Sequence, residues 1–337
     1  MTRRFIHRGL VSALLALGLM SPALAEDAGK SGPVPITVSV VPQQWLVDSI
    51  GGGHVKTTVM VKPGASPATY EPTPSQMQAL TEAEIYFSIG VPFEHAWLPR
   101  FEGAAPDLKV IDMAERVERR VMGGGYGHHE EHEHEHEHEE AAHEHDHDHD
   151  AHAEEHHEDE HHDEGEEHEG HSHAAGSPDP HVWVSPLAMR AMASTVVDVL
   201  SKLRPEFAAD FRGNYAKTVE TINVVDAQAA HALAAVPQRT FMVFHPAWGY
   251  FADAYGLRQM AIETGGKEPS PQDMHRIIDE AREHDIKVIF VQAQFSQRAA
   301  KAIAEDIGGE VKPLDPLAYD WPENTRTIAN TFAATLR

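Results

Sequence analysis

Between Gly123 and Pro178 the sequence is almost entirely His, Glu, Asp and Ala, opened by Gly123-Gly124-Gly125 and closed by Gly176-Ser177-Pro178. Such a stretch has no apolar side chains to offset the entropy of ordering it, so residues 123–178 are expected to be a disordered insertion. Whatever folds must therefore be assembled from the sequence on either side. A surface loop of this length is tolerable, because closure entropy grows only logarithmically with loop length.

The insertion also distorts the bulk charge. The formal net charge is −26, yet residues 128–173 hold 21 acidic residues and no Lys or Arg; the 32 acidic and 27 basic residues elsewhere leave only −5. The globular part is ordinary in charge, with no basic surface suited to nucleic acid. The chain has no cysteine. That excludes a thiolate zinc finger, a disulfide framework and a lipid-modified N-terminal cysteine.

Residues 1–25 read as a cleaved signal peptide: Arg3, Arg4 and Arg8, then an apolar run from Leu10 to Leu19, then Ala23-Leu24-Ala25. Phe5 directly after the arginine pair fits general secretion better than twin-arginine export. No later stretch approaches the roughly 18 apolar residues of a membrane span. Removing leader and insertion leaves about 260 residues, enough for two lobes of ordinary domain size.

The flanks alternate. Apolar runs at Ile36–Val41, Val55–Val61 and Ile85–Ile89 read as strands, with helices at Gln43–Ile50 and Ser75–Glu82, Ser75 serving as N-cap. Beyond the insertion, strands are expected at Thr240–Phe244, Gln259–Ile262, Val288–Val291 and near Val311. Helices are expected at Ala247–Ala254, Pro271–His284 and Ser296–Ile307. Strands alternating with helices indicate α/β lobes built on parallel sheets. From Pro205 to Ala235, Phe207, Phe211, Tyr215, Val219, Ile222, Val225, Ala229 and Leu233 recur every three or four residues, one face of a long helix able to join two lobes. The expected organisation is a lobe at 33–204 carrying the insertion, a linking helix at 205–236 and a second lobe at 237–337.

Metal chemistry dominates the candidate residues. The tract holds 18 of the 26 histidines, mostly as His-x-His with acids between, as at His132, His134, His136, His138, His143, His145, His147 and His149. Imidazole with carboxylate suits Zn²⁺ and similar ions, and these are expected as weaker secondary sites. Outside the tract, His181 lies in Asp179-Pro180-His181-Val182-Trp183, where the insertion ends. His245 and Asp315 follow strands, at the edge where open α/β sheets place ligands. Glu263 and Glu268 flank the Gly265-Gly266 turn and are assigned to it. His54, beside Gly51-Gly52-Gly53, is assigned to a turn.

Pro63-Gly64-Ala65-Ser66-Pro67, Tyr70-Glu71-Pro72-Thr73-Pro74-Ser75, Asp179-Pro180-His181-Val182-Trp183, Phe244-His245-Pro246-Ala247-Trp248 and Leu314-Asp315-Pro316-Leu317, in that order, resemble the ZnuA/TroA-like metal receptors of ABC transporters. The resemblance covers residues 36–337. It implies two α/β lobes joined by a rigid helix, with the metal between them held by His181, His245 and Asp315. It further implies Zn²⁺ as cargo (Mn²⁺ or another divalent ion being the alternative), an ABC-type membrane permease as partner, and no enzymatic activity; a monomer is expected. Without a lipid anchor, such a receptor is retained only where an outer membrane encloses it, which points to the periplasm.

The sequence departs from the family at Ala68, where a histidine is usual. A water, Glu94 or His95 after the strand Ile85–Ile89, or a tract histidine would then complete the site, Glu94 being the tentative fourth ligand. Two further readings stay open. In one, the tract is the functional part of a metal buffer; in the other, three ligands plus water form a zinc hydrolase. Outside the tract no His-Glu-x-x-His pattern, which on a helix would support the hydrolase, occurs.

Overall fold

The apolar runs form the strands of two four-stranded parallel sheets in the computed structural model, which describes residues 32–122, 176–263 and 265–336. The expected signal peptide and the His/acid tract lie outside the described residues. The first sheet comprises β1 (Val34–Val38), β2 (Val55–Val59), β3 (Ile85–Ser88) and β4 (Lys109–Asp112), in the order β2-β1-β3-β4. The second comprises β5 (Thr240–Val243), β6 (Arg258–Ala261), β7 (Val288–Val291) and β8 (Glu310–Pro313), in the order β6-β5-β7-β8. The two sheets repeat one topology. In each the first and third strands in sequence are central and the most buried, so these are the runs richest in Val, Ile and Phe.

Helices connect and cover the strands: α1 (Val41–Gly51), α2 (Pro74–Thr81), α3 (Pro92–Ala104), α4 (Pro186–Leu203), α5 (Ala208–Leu233), α6 (Gly249–Tyr255), α7 (Pro271–Glu283), α8 (Arg298–Ile307) and α9 (Trp321–Thr335). Proline at the first turn of α1, α2, α3, α4, α7 and α9 is compatible with helix initiation, since that amide has no intrahelical acceptor. At α2 this moves the cap. Pro74 occupies the first turn, so Thr73 rather than Ser75 is the N-cap, its Oγ1 accepting from the Gln76 amide.

Helix α5 carries the stripe seen in the sequence: Phe211, Ile222, Val225, Ala229 and Leu233 are buried. It packs against α1 and α4 beside the first sheet and against α9 beside the second. At 26 residues it is about 39 Å long. One apolar core runs from Val38 and Phe87 of the first sheet past Trp183 to Trp248, Phe290 and Phe332 of the second half, and a smaller core fills the space between the second sheet and α7 and α8. The described residues from Pro33 onward thus cluster as one unit. Among the described residues no helix is long and apolar enough to cross a membrane.

Candidate metal centre

The site grows from the carboxyl edge of the second sheet. Parallel pairing sets Val243 of β5 opposite Ala261 of β6 and Phe290 of β7. Two residues further on, the same alignment gives Glu263, His245 and Gln292 side by side. The contacts follow. Both carboxylate oxygens of Glu263 meet His245 Nδ1, at 2.9 and 3.0 Å, and Gln292 Nε2 donates to the His245 carbonyl at 3.1 Å. Phe295 stacks on the imidazole, centroids 4.6 Å apart.

His181 enters from the other side, on the segment leading into α4. Asp179 Oδ1 accepts from the His181 amide at 3.0 Å and lies 2.8 Å from its Nδ1. Trp183, two residues on, is fixed by donating to the Pro316 carbonyl, while Trp321 donates to the Trp183 carbonyl. His181 Nε2 then stands 3.2 Å from His245 Nε2. Both imidazoles are 5% exposed, Glu263 is 4% exposed and Asp179 is fully buried.

An ionised carboxylate only accepts, so each Nδ1 carries the proton and each Nε2 turns a lone pair toward the other. Two facing lone pairs repel unless a proton or a metal ion lies between them. Burial is the largest influence on His181 and lowers its pKa below the ordinary value; Asp179 opposes this and the facing His245 reinforces it. Protonation of His181 is thereby disfavoured. Asp179 itself is held below the ordinary carboxyl range: burial works against its charge, but the His181 hydrogen bonds and the Arg120 guanidinium outweigh it. The spacing suits a metal, because two nitrogens each ~2.0–2.1 Å from one tetrahedral ion stand about 3.3–3.4 Å apart.

The pair opens on a narrow cleft, partly open to solvent, walled by Ser66, Pro67, Ala68, Gln294, Phe295 and Leu317 among others. Ala68 is thus beside the imidazoles, where the resemblance places a histidine. Its methyl offers no donor, and its amide donates to Ser66 Oγ at 3.2 Å.

Two expected ligands are not brought to the pair. Asp315 is exposed and does not line the cleft; its Oδ1 accepts from the Leu317 amide at 2.9 Å, closing its own turn, while its neighbours Pro316 and Leu317 form part of the wall. Glu94 is buried at the start of α3 and is occupied there. Its carboxylate accepts from the Ile89 amide at 3.0 Å, the Gly90 amide at 2.8 Å and the Ser39 hydroxyl. Gly90 takes φ 87°, a conformation glycine accepts without strain, and the carboxylate ties that turn. Burial, above all, raises the Glu94 pKa to about 7. His95 is exposed on α3 and outside the cleft wall. Among the described residues no group of three or more His, Asp or Glu side chains forms a ready-made metal cage. His54 ends the 3₁₀ turn Gly52–His54, in keeping with its turn assignment, and there lies 3.0 Å from Asp210 and stacks on Phe207. Glu263 and Asp179 were not separable from ordinary turn residues in the sequence; only the position of Glu263 just past a strand, on the same sheet edge as His245, signals its role.

Residues 36–335 match the family model described as ZnuA, zinc-uptake complex component A, periplasmic. The chain belongs to the ZnuA family. A high-affinity zinc uptake system protein ZnuA from Haemophilus influenzae is 37% identical over 311 residues, covering 91% of this chain and 90% of that one. The zinc-binding protein AdcA of Streptococcus pyogenes is 27% identical over 296 residues, covering 87% of this chain but 52% of AdcA, so the chain spans about half the length of those relatives. A crystal structure of ZnuA aligns with a TM-score of 0.73 at 32% identity, covering 90% of this chain and all of that one; a zinc-bound ZnuA deletion mutant aligns equally well at 33% identity. The two-lobe α/β fold with its long helix is therefore that of the ZnuA family.

Proposed function

We propose that this protein captures a divalent metal ion, Zn²⁺, between its two lobes and delivers it to the permease of an ABC-type importer. The observation that carries the reading is the pair of buried imidazoles, Nε2 atoms 3.2 Å apart, each with Nδ1 on its own carboxylate. Histidine pairs with such carboxylate partners are the usual way of fixing the tautomer for zinc. Imidazole donors favour Zn²⁺ over the harder Mn²⁺.

His181 and His245 are the protein ligands in this reading. Asp315, followed directly by two residues of the cleft wall, is recruited when the ion enters, exchanging its bond to the Leu317 amide for the metal. Ala68 leaves a further position to water. The relatives named for zinc binding and zinc uptake support Zn²⁺ as the cargo, and the family supports a receptor working in the periplasm after loss of residues 1–25. Lobes 33–204 and 237–337, joined through 205–236, are the two jaws. The protein is a monomer and not an enzyme in this account: both carboxylates at the pair are committed to holding imidazoles, which leaves neither as a general base. The tract acts as a weaker collecting surface.

Calorimetric zinc titration of protein lacking residues 128–173 tests the reading. Backbone pairing of Met122 with Ser177 closes the root of the tract, so its removal should leave the fold intact. One tight event should remain and should vanish in His181→Ala/His245→Ala. Loss of all binding with the tract would favour the buffer instead.

A further inference from the structure

Apart from the two imidazoles, the polar side chains in the cleft wall are those of Ser66, Gln292 and Gln294, with Trp183 contributing its indole. Ser66 Oγ accepts from the Ala68 amide, and the Trp183 indole donates to the Pro316 carbonyl. The glutamines differ. Gln292 follows β7 at the register of His245 and is 1% exposed. Its Nε2 donates to the His245 carbonyl at 3.1 Å, and because a carbonyl only accepts, this bond fixes which way the amide lies. Its Oε1, on the other arm of the amide, meets no donor among the described residues. Gln294 Oε1, two residues on and in the same wall, is likewise buried and unmet. A buried amide oxygen without a donor is costly, so two beside one cleft call for a donor that arrives with the ligand.

We propose that Gln292 and Gln294 hold the water that completes the zinc shell on the Ala68 side, and are positioning residues for the bound ion. This rests on the reading of the histidine pair as the metal site. A water bound to zinc gives a lone pair to the metal and keeps two O–H groups, which need two acceptors. Glu263 and Asp179 are turned instead to the Nδ1 atoms of the imidazoles. The two amide oxygens supply the pair. Neither glutamine touches the metal; each acts through the water. An amide oxygen accepts a hydrogen bond without taking up the proton, so the water is kept as a ligand and is not activated as a nucleophile. Ala68 and the glutamines thus form one device, the methyl leaving room for the water that the amides hold.

The experiment is a double-variant cycle on the full-length protein, reading zinc affinity by competition with a chelator strong enough to keep the tract sites empty. Gln292→Met keeps the length of the side chain and removes its polar atoms. It should weaken the tight site about tenfold, the low end for losing a ligand's own partner, and Gln294→Ala should weaken it in the same direction. Ala68→His, whose ring displaces the water, should remove both effects, so that neither glutamine variant costs anything further in that background. This separates the water from the Nε2 bond to the His245 carbonyl, because the loss of a merely structural bond would persist in the Ala68→His background. Wild-type affinity in the glutamine variants, an equal loss in both backgrounds, or an Ala68→His variant that binds no tighter than wild type would overturn the proposal. Should Gln292→Met fail to fold, Gln294→Ala, at a partly exposed position, decides by the same cycle. His245→Ala serves as the control. If tight binding survives in it, the metal-site reading itself has failed; if it is lost there while the glutamine variants bind as wild type does, only the water-holding role has.

Discussion

Glu263→Gln is the perturbation that probes the site most finely, because it removes a charge while keeping size and shape. Glu263 sets both oxygens within 3.0 Å of His245 Nδ1 and is nearly inaccessible to water. The substituted amide has two ways to lie. With its oxygen toward Nδ1 it accepts the imidazole proton and the ligating lone pair survives, without the anionic partner that makes the ring a better donor. With its nitrogen toward Nδ1 it donates, the proton moves to Nε2, and the ligand is blocked. Both lower affinity. Loss of such a partner costs about 10–100-fold in metal affinity, or about 1.4–2.8 kcal/mol at 1.4 kcal/mol per tenfold. Competition against a zinc chelator, with protein lacking residues 128–173, measures this directly. The effect must run through His245, so Glu263→Gln should cost nothing further in a His245→Ala background. Wild-type affinity in the single variant, or an undiminished loss in the double, would refute the reasoning.

Three further outcomes follow from the same geometry. Ala68→His should tighten zinc binding, since a third imidazole in the cleft wall takes the position left to water and closes a tetrahedral site; unchanged affinity in the same competition assay would show that another donor already holds it. His181→Ala and His245→Ala should each weaken binding about tenfold or more, Asp315→Ala less and His54→Ala not at all; a larger loss from Asp315→Ala than from the histidines would place the carboxylate at the centre instead. The Glu94 carboxyl should titrate near 7 by ¹³C chemical shift. Its folded pKa lies above the unfolded value of 4.5, so its contribution to stability is fully present below about pH 4.5 and is lost as pH rises through about 7; roughly 1.4 kcal/mol per pKa unit makes that about 3 kcal/mol. An ordinary carboxyl titration would contradict the burial argument.

Much of the fold was legible because its signals are local. Val288–Val291 is a strand as expected, and the stripe from Phe211 to Leu233 is the buried face of α5. The elements without a clear signature were β4, whose short Lys109–Asp112 run is exposed at both ends, and α3, α4 and α9, which proline or motif residues introduce. His181 and His245 could be singled out because a histidine after a strand or within a family motif is unusual. The acidic partners could not. Asp179 before proline and Glu263 before a glycine turn look like ordinary turn residues until the register of β5 with β6 is known. Glu94 and Asp315 stand apart from the pair for the complementary reason. Each lies close to a strand end, but the nearest unpaired amides, Ile89 and Gly90 for one and Leu317 for the other, hold their carboxylates. Sequence places a carboxylate near a site; competing local donors decide whether it faces the site.

The central claim is that one ion sits between His181 and His245. Anomalous diffraction at the zinc edge, from crystals of protein lacking residues 128–173, tests it most directly. The account predicts one dominant peak about 2.0–2.1 Å from Nε2 of both histidines, with Glu263 and Asp179 still on the Nδ1 atoms. A peak elsewhere, or zinc bound to one imidazole alone, would contradict it.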